Sequence, residues 1–228
     1  FRDGFIQTLM HGSGLDYQAY RPVAYYIDGV YQGFMGLRER MTDDYVWDHY
    51  GIDEDNLDVV ALSEDGPSAS TGDLTAYNNM ISEAQTTQTD SSYFNKMNGL
   101  LDINEYLDYI IFEQFIVNTD WPANNNKLWR KRNNGRFRVM VYDTDFGFGL
   151  YGGTAPNYSS YTTDMIKFCL GEGSAVNWGN GTKIGTNSYA FSDASKWKTV
   201  LFSSLMKNPE FKSQYLIKTL MHLQDRKS

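Results

Sequence analysis

A polar stretch at residues 118–127 reads Asn-Thr-Asp-Trp-Pro-Ala-Asn-Asn-Asn-Lys, and an acidic stretch at residues 142–148 reads Tyr-Asp-Thr-Asp-Phe-Gly-Phe. Two runs with strand character lie between them, residues 127–132 and 137–142, joined by Asn133-Asn134-Gly135. Asn-Gly is a strong signal for a β-hairpin, so the runs are predicted to be paired strands. Such a hairpin returns the acidic stretch to the side of the polar one.

The clearest helix of the sequence comes directly before the polar stretch, at about residues 103–117. Asp102 precedes it and Glu105 follows three residues later, which is typical of a capping-box start. An apolar stripe at 3.6-residue spacing marks the side that is expected to be buried. The stripe is formed by Tyr106, Leu107, Ile110, Ile111 and Phe115.

The rest of the chain alternates strand, loop and helix signals without an internal repeat. A helix is predicted near residues 5–10, a hairpin at 23–27 and 30–37 around Asp28-Gly29, and helices at 42–50 and 75–85. Residues 63–75, 85–92, 152–161 and 171–188 are rich in Gly, Ser, Asn or Asp and are predicted to be loops or connectors. The predicted fold class is α+β, with a hairpin-rich first part and a helical remainder.

Two helices are predicted at the end of the chain. The first follows Trp197, and the second opens at Asn208-Pro209, a cap residue followed by proline. The second helix is predicted to have an apolar side formed by Phe211, Tyr215, Leu216, Leu220 and Leu223.

Composition excludes several classes of function. The chain has 228 residues, a formal net charge of −8 and a pI of about 4.8, so we expect no nucleic-acid partner, because that binding needs Lys and Arg to neutralise phosphates. The single Cys169 excludes an internal disulfide, and the three scattered His residues argue against a zinc centre. No transmembrane segment is expected. The chain starts at Phe1 without a Met, and we expect it to be a processed or excised piece.

The polar and acidic stretches together suit phosphoryl transfer. That reaction needs an acceptor hydroxyl oriented by a carboxylate, and metal ions that bridge the phosphates of a nucleotide. In protein kinases an Asp and, five residues later, an Asn lie in the catalytic loop, and the Asp of a D-F-G sequence holds metal. Asp120, Asn125 and Asp145-Phe146-Gly147 follow this order here, with the helix before and the hairpin between.

Each of these residues also has an ordinary structural interpretation. A loop Asp or Asn is most often a cap or part of an Asx turn, Asn124-Asn125-Asn126 could satisfy loop backbone, and Asp143 could pair with a buried Arg. For the whole set the functional interpretation is favoured. Acidic residues at both ends of the apolar hairpin formed by Phe137, Val139 and Val141 are unfavourable near one another without a cation.

The sequence resembles the spore coat protein H (CotH) kinase family over nearly its whole length. The resemblance rests on residues 21–33 (Arg-Pro-Val-Ala-Tyr-Tyr-Ile-Asp-Gly-Val-Tyr-Gln-Gly), residues 37–41 (Leu-Arg-Glu-Arg-Met), and the two stretches quoted first. It implies a divergent protein-kinase-like fold and the use of ATP with Mg²⁺ or Mn²⁺. It further implies phosphorylation of serine residues in secreted or spore-coat proteins, with an extracellular, cell-surface or coat location.

Carried over residue by residue, the resemblance makes Asp120 the catalytic Asp and Asn125 the catalytic-loop Asn, which also binds metal. The metal-binding Asp is ambiguous. Alignment on D-F-G selects Asp145, whereas alignment on the D-x-x-x-G-F-G pattern of related secretory-pathway kinases selects Asp143. We expect Asp143 to bind metal, with Asp145 as a second ligand or an orienting group.

The first part of the chain departs from a complete kinase. Neither a glycine-rich phosphate loop nor the expected early-strand Lys is visible, so residues 1–41 are predicted to be a partial N-lobe with its connection, truncated at the N-terminus, and residues 42–228 a mostly helical C-lobe. Residues 36–41 are a hypothetical connection where adenine would dock, with Arg38, Glu39 and Met41 as cofactor-binding candidates. Arg38 and Glu39 could equally be the charges of an exposed strand.

Three functions are compared. The first is an ATP- and metal-dependent protein serine kinase. The second is a catalytically inactive kinase-like module for surface binding or adhesion. The third is a two-carboxylate glycosidase, in which the carboxyl groups would be about 5–5.5 or 6.5–9.5 Å apart across a sugar groove.

Overall fold

A computed structural model describes residues 1–63, 65–118, 120–122, 124–148, 164–170, 176–178, 182–184 and 199–224. The described part mixes helices with strands, as the predicted α+β class requires. In chain order its elements are α1 (Arg2–Thr8), β1 (Asp16–Tyr17), β2 (Tyr20–Ile27), β3 (Val30–Arg38), α2 (Asp43–Tyr50), a 3₁₀ turn (Glu54–Asn56), β4 (Leu57–Ser63), β5 (Gly66–Thr71), α3 (Thr75–Ala84), α4 (Tyr93–Leu100), α5 (Ile103–Phe115), β6 (Asn126–Lys131), β7 (Arg138–Val141), α6 (Met165–Leu170), β8 (Val176–Trp178), β9 (Thr182–Ile184), α7 (Val200–Leu205) and α8 (Pro209–Gln224).

A five-stranded sheet carries the structure, in the order β1-β7-β6-β4-β5. The predicted hairpin is present as β6 and β7, which pair antiparallel with Lys127 opposite Met140. Continuing this register by two residues brings Asn125 level with Tyr142. The polar and acidic stretches therefore meet at one end of the hairpin, as the sequence predicts. The hairpin turn uses left-handed backbone at Asn133 and Asn134 (φ 57° and 85°), one residue earlier than an Asn-Gly turn.

Successive side chains of a strand point to opposite faces of the sheet, and each face of this sheet packs against a core of its own. On one face Val60, Leu128 and Val139 join the main core, which includes the buried sides of α3, α4, α5 and α8. On the other face Val59 and Trp129 join a smaller core formed with α2. Burial on both sides fixes the hairpin register, since a shift of one residue would exchange the two sets of side chains.

Helix α5 begins as predicted, because the Asp102 carboxylate accepts a hydrogen bond from Glu105 N at 3.2 Å. Tyr106, Leu107 and Ile110 are buried in the core. The predicted stripe is wrong at its last position, since Phe115 is 49% exposed. Phe115 lies at the helix end, where its ring packs edge-on against Phe148 at 6.2 Å.

The prediction of a loop at residues 63–75 is wrong, because Gly66–Thr71 forms β5 and pairs with β4. It is an edge strand of small residues, none of them buried, so it is held by backbone pairing and lacks an apolar pattern. The Gly-rich segment 171–188 also contains paired strands, β8 and β9. The predicted loop at residues 152–161 lies outside the described residues.

The last helix is less buried than its sequence suggests. Phe211 and Tyr215 are in the core, but Leu216, Leu220 and Leu223 are each at least half exposed. The predicted stripe is therefore wrong beyond Tyr215. None of the described helices has both the length and the apolar character that a membrane crossing requires.

A buried carboxylate ties β4 to β6. Asp58 is 1% exposed, and it accepts hydrogen bonds from Arg130 Nε at 2.9 Å and Arg132 Nε at 2.8 Å. It also accepts one from Asp73 N at 3.2 Å, at the end of β5. One side chain thus joins three strands of the sheet.

We expect Asp58→Ala to lower the free energy of unfolding by about 2–3 kcal/mol, because it leaves two arginines without their shared acceptor. Urea denaturation followed by circular dichroism measures this loss. Asp48→Ala, at an exposed position of α2, is the control and should stay within about 0.5 kcal/mol of the wild type. Equal effects of the two substitutions would contradict the structural role of Asp58.

Candidate active site

Two amides hold the carboxylate of Asp120. Asn125 Nδ2 donates to Asp120 Oδ2 at 2.7 Å, and Asn124 Nδ2 donates to the same oxygen at 3.1 Å. Asp120 is 5% exposed, so its carboxylate is held in one orientation inside the loop. The predicted catalytic Asp and the predicted catalytic-loop Asn are therefore in direct contact.

Asn125 also connects the two loops that the hairpin brings together. Its Nδ2 lies 3.4 Å from the carbonyl oxygen of Asp143, across the open end of β6 and β7. Both residues have left-handed backbone, with φ of 52° for Asn125 and 51° for Asp143. Asn and Asp tolerate this conformation better than other residues with a Cβ, and strained backbone of this kind is frequent at functional sites.

The two acidic side chains of the second loop influence each other. Burial raises the pKa of Asp143, and the neighbouring carboxylates of Asp145 and Asp3 raise it further. The guanidinium of Arg38 acts in the opposite direction. Like charges this close disfavour simultaneous ionisation unless a cation lies between them. The loop therefore has an electrostatic reason to bind a cation.

Helix α1 supports this acidic loop through Asp3. The Asp3 side chain is 2% exposed and accepts hydrogen bonds from both N and Oγ1 of Thr144, each at 2.7 Å. Thr144 stands between the two acidic residues of the loop. Asp3 also pairs with Arg38 at the end of β3. One buried carboxylate thus links α1, β3 and the acidic loop.

Gly147 allows α1 to pack closely against the same loop. A Cβ at this position would lie 2.9 Å from Ile6 Cδ1 and 3.1 Å from Thr144 O, which is too close for any other residue without rearrangement. Arg2 of α1 donates to Gly147 O at 3.0 Å. The glycine of Asp-Phe-Gly therefore lets Ile6 and the Thr144 carbonyl approach the loop without displacement.

Behind the loop that carries Asp120 lies a buried acid. Glu113 is 0% exposed, and its Oε2 accepts from Asn118 Nδ2 at 2.9 Å. Asn118 Oδ1 in turn accepts from Asp120 N at 3.3 Å. Burial raises the pKa of Glu113 to about 8, and Asp3 adds to this effect while the Asn118 hydrogen bond opposes it. The helix end thus supports the backbone of Asp120 through one amide.

The three residues predicted to bind the nucleotide, Arg38, Glu39 and Met41, have different surroundings in the structure. Arg38 lies beside the acidic loop through its ion pair with Asp3. Glu39 is held by neighbours on both oxygens, by Ala19 N at 2.8 Å and by His49 Nε2 at 2.9 Å. Met41 is 2% exposed and packs in the smaller core. Arg38 joins the site, whereas the side chains of Glu39 and Met41 serve local packing.

The structure thus brings together Asp120, Asn125, Asp143 and Asp145, with Arg38 at the edge. It adds supporting residues that the sequence analysis does not assign: Asp3, Glu113, Asn118 and Asn124. Asn118 and Asn124 lie inside the polar stretch at residues 118–127, so their position in the sequence could have identified them as site residues. Asp3 and Glu113 are distant in sequence and give no such signal.

An apolar cavity of about 720 Å³ lies elsewhere, between the end of α1, α5, α6 and α8. None of the predicted catalytic or metal-binding residues lines it, so its size has no bearing on the site. Cys169 is buried nearby in α6, and burial raises its thiol pKa. A buried thiol with a raised pKa is unreactive.

Among the described residues, no three His, Cys, Asp or Glu side chains converge on a point where they could hold a metal ion. An amide is outside that set, and the loop offers two carboxylates with the Asn125 amide beside them. A kinase metal is held by an Asp, an Asn and phosphate oxygens of the nucleotide. The donor set that is present suits that arrangement and does not resemble a protein-only metal cage.

An Asp–Asn loop and an Asp-Phe-Gly loop joined across one hairpin have the order of parts found in kinase-like phosphotransferases. The family model described as CotH kinase protein matches residues 1–226. The chain therefore belongs to the CotH kinase family, and the resemblance inferred from its sequence is confirmed. Among curated proteins, none matches this sequence.

The buried Glu113 makes stability depend on pH. With a pKa of about 8 when folded and 4.5 ordinarily, Glu113 stays protonated in the folded chain while it ionises in the unfolded chain. Its contribution to stability is therefore complete below about pH 4.5 and is lost as pH rises towards 8. Each unit of pKa difference corresponds to about 1.4 kcal/mol.

We expect Glu113→Gln to remove this loss, because Gln is nearly the same shape and does not ionise. The free energy of unfolding of the variant, relative to the wild type, should rise by a few kcal/mol between pH 5 and 9. Urea titrations across that range measure it. Glu83→Gln, at a partly exposed position of α3, serves as the control. A difference that stays constant with pH would refute the assignment of Glu113 as a buried acid.

Proposed function

We propose that this protein is an ATP- and divalent-metal-dependent protein serine kinase that acts on secreted or coat proteins outside the cell or at its surface. The observation that carries the proposal is the double contact of Asn125, which donates to Asp120 Oδ2 and reaches Asp143 O. This contact joins the catalytic loop to the acidic loop. Membership of the CotH kinase family supports the same class of reaction.

In this proposal Asp120 acts on the acceptor serine. The serine oxygen attacks the γ-phosphorus of ATP, the bond from that phosphorus to the β-γ bridging oxygen breaks, and ADP leaves. Asp120 orients the hydroxyl and accepts its proton. Asn124 and Asn125 hold the Asp120 carboxylate in place, so that the serine approaches an acceptor already in position.

A divalent cation would lie at the acidic loop. Its proposed ligands are Asp143, Asp145 and the amide oxygen of Asn125, an all-oxygen set that suits Mg²⁺ or Mn²⁺. Burial raises the pKa of Asp143, and the carboxylates of Asp145 and Asp3 raise it further, so a bound cation would relieve a real electrostatic cost. When bound, the metal neutralises the phosphate oxygens. Asp3 and Thr144 keep the loop in position for it.

The nucleotide would be held along residues 38–41, where Arg38 offers a charged side chain. The backbone groups of Glu39 are already paired, its N–H with Ala19 O and its carbonyl with Gln18 Nε2. Within the described residues, no contact separately favours the alternative of an inactive surface-binding module, or that of a glycosidase. The kinase reaction is therefore the function that the site supports best.

Metal-dependent nucleotide binding tests the acidic loop. We expect Mg²⁺ with ATP at 100 times its Kd to stabilise the wild type by about 2.7 kcal/mol, and each kcal/mol shifts the Tm of a chain of this size by about 2–4 °C. In Asp143→Asn the shift should vanish, because a metal ligand is lost. In Asp145→Asn it should fall only partly, and in Asp44→Asn, at an exposed position of α2, it should persist. An undiminished shift in Asp143→Asn would refute the metal assignment.

Phosphate transfer tests Asp120. We expect Asp120→Ala to reduce transfer of labelled phosphate to a serine-containing protein by about 10²–10⁴-fold, the usual contribution of a positioned base. Asn124→Ala should give a smaller loss, since Asn125 still holds the carboxylate. Mg²⁺–ATP binding should be retained in both variants, which separates loss of chemistry from loss of folding. Transfer at wild-type rate by Asp120→Ala would exclude the proposed role.

A further inference from the structure

Lys127 is the second residue of β6, two residues after Asn125, and its side chain is only partly exposed. Its Nζ donates to Met41 O at 2.7 Å and lies 4.8 Å from the centre of the Tyr142 ring. Met41 belongs to the segment where the nucleotide is proposed to lie, and Tyr142 precedes Asp143. The ammonium therefore lies between that segment and the acidic loop.

Lys127 makes no ion pair with a carboxylate in the part of the chain that the structure describes. The other half-buried cations nearby differ in this respect, since Arg130 pairs with Asp58 at 2.9 Å and Arg138 with Glu105 at 2.7 Å. The neighbouring charged group is another cation, Arg40. Two cations thus adjoin each other, and among the described residues no acid offsets Lys127.

A half-buried ammonium without a counter-ion is unfavourable, so its presence here needs an explanation. An ammonium has three donors, and one is used on the Met41 carbonyl. If the group served only to link β6 to residue 41, a neutral donor would do so without the loss of hydration. A ligand that supplies acceptor atoms between Met41 and the acidic loop would account for the charge.

We propose that Lys127 is a nucleotide-binding residue whose ammonium donates to an acceptor atom of the bound nucleotide. This inference rests on the proposed function. Lys127 is positioned by the Met41 carbonyl and by the face of Tyr142, and the adjoining Arg40 makes an anionic group the favoured ligand. The charge therefore points to the phosphate end of the nucleotide, although a nitrogen or oxygen of the base has the same hydrogen-bonding chemistry.

Nucleotide affinity measured by calorimetry, with Mg²⁺ present, tests this inference. The probes are ATP, inorganic tripolyphosphate and adenosine, applied to the wild type, Lys127→Met and Lys127→Arg. Lys127→Met keeps an apolar chain over Tyr142 and removes the donor, and we expect about 10–100-fold weaker ATP binding, as for loss of a charge-assisted hydrogen bond. Lys127→Arg should recover part of the affinity. In turnover, KM for ATP should rise more than kcat falls.

The matched control is Lys131→Met, at the exposed far end of the same strand, which should bind like the wild type. Weakening of both ATP and tripolyphosphate places the contact at the phosphates, and weakening of ATP and adenosine alone places it at the base. Either pattern supports the inference. Thermal unfolding without ligand shows whether Lys127→Met is folded, and Lys127→Arg provides the test if it is not.

Two results would overturn the inference, and they differ in what else they affect. Equal ATP affinity in the wild type and in folded Lys127→Met would remove Lys127 from the nucleotide site and leave the proposed kinase function intact. Absence of ATP binding by the wild type itself would remove the proposed function, and this inference with it.

Discussion

Crowding of acidic side chains at one end of the β6–β7 hairpin is the constraint on which the rest of the site depends. Asp3, Glu113 and Asp120 are each no more than 5% exposed, and Asp143 and Asp145 lie beside them. Each buried acid is offset in its own way. Asp3 has Arg38 and Thr144, Asp120 has two amides, and Glu113 takes up a proton because burial raises its pKa to about 8. Among the described residues, Arg38 is the cation that acts on Asp143, while Asp145 and Asp3 oppose its ionisation, which is why a divalent cation is proposed there.

The same crowding explains why α1 belongs to the site although it is far away in sequence. An acidic loop with strained backbone at Asp143 needs fixed partners to keep its shape. Asp3 is such a partner, because its carboxylate accepts hydrogen bonds from both N and Oγ1 of Thr144. Gly147 lets Ile6 approach the loop within contact distance. A movement of α1 would therefore displace Thr144 and, with it, the two carboxylates on either side. The position of α1 and the geometry of the acidic loop are mechanically coupled.

The sequence predicted the parts whose signals are local. Helix α5, the β6–β7 hairpin and the β2–β3 hairpin follow from caps, periodicity and turn residues, and the hairpin alone places Asn125 beside Asp143. Edge strand β5 could not be predicted, because small residues held by backbone pairing leave no apolar pattern in the sequence. The exposure of Leu216 and Leu220 could not be predicted either, because it depends on which face of α8 the other elements cover. The roles of Asp3 and Glu113 could not be predicted, because they arise from contacts between segments that no spacing rule connects.

Charge is distributed unevenly across the site, and that asymmetry restricts the ligand. The acidic loop attracts a cation, whereas Lys127 and Arg40, by the Met41 segment, favour an anion. A metal ion alone would offset only the acidic loop, and an anion alone would offset only Lys127 and Arg40. A metal–nucleotide complex carries both, since its metal can bind carboxylates while its phosphates accept from an ammonium. A Lys also suits this position better than an Arg would, because a compact ammonium can hold the Met41 carbonyl and still present further donors to a ligand.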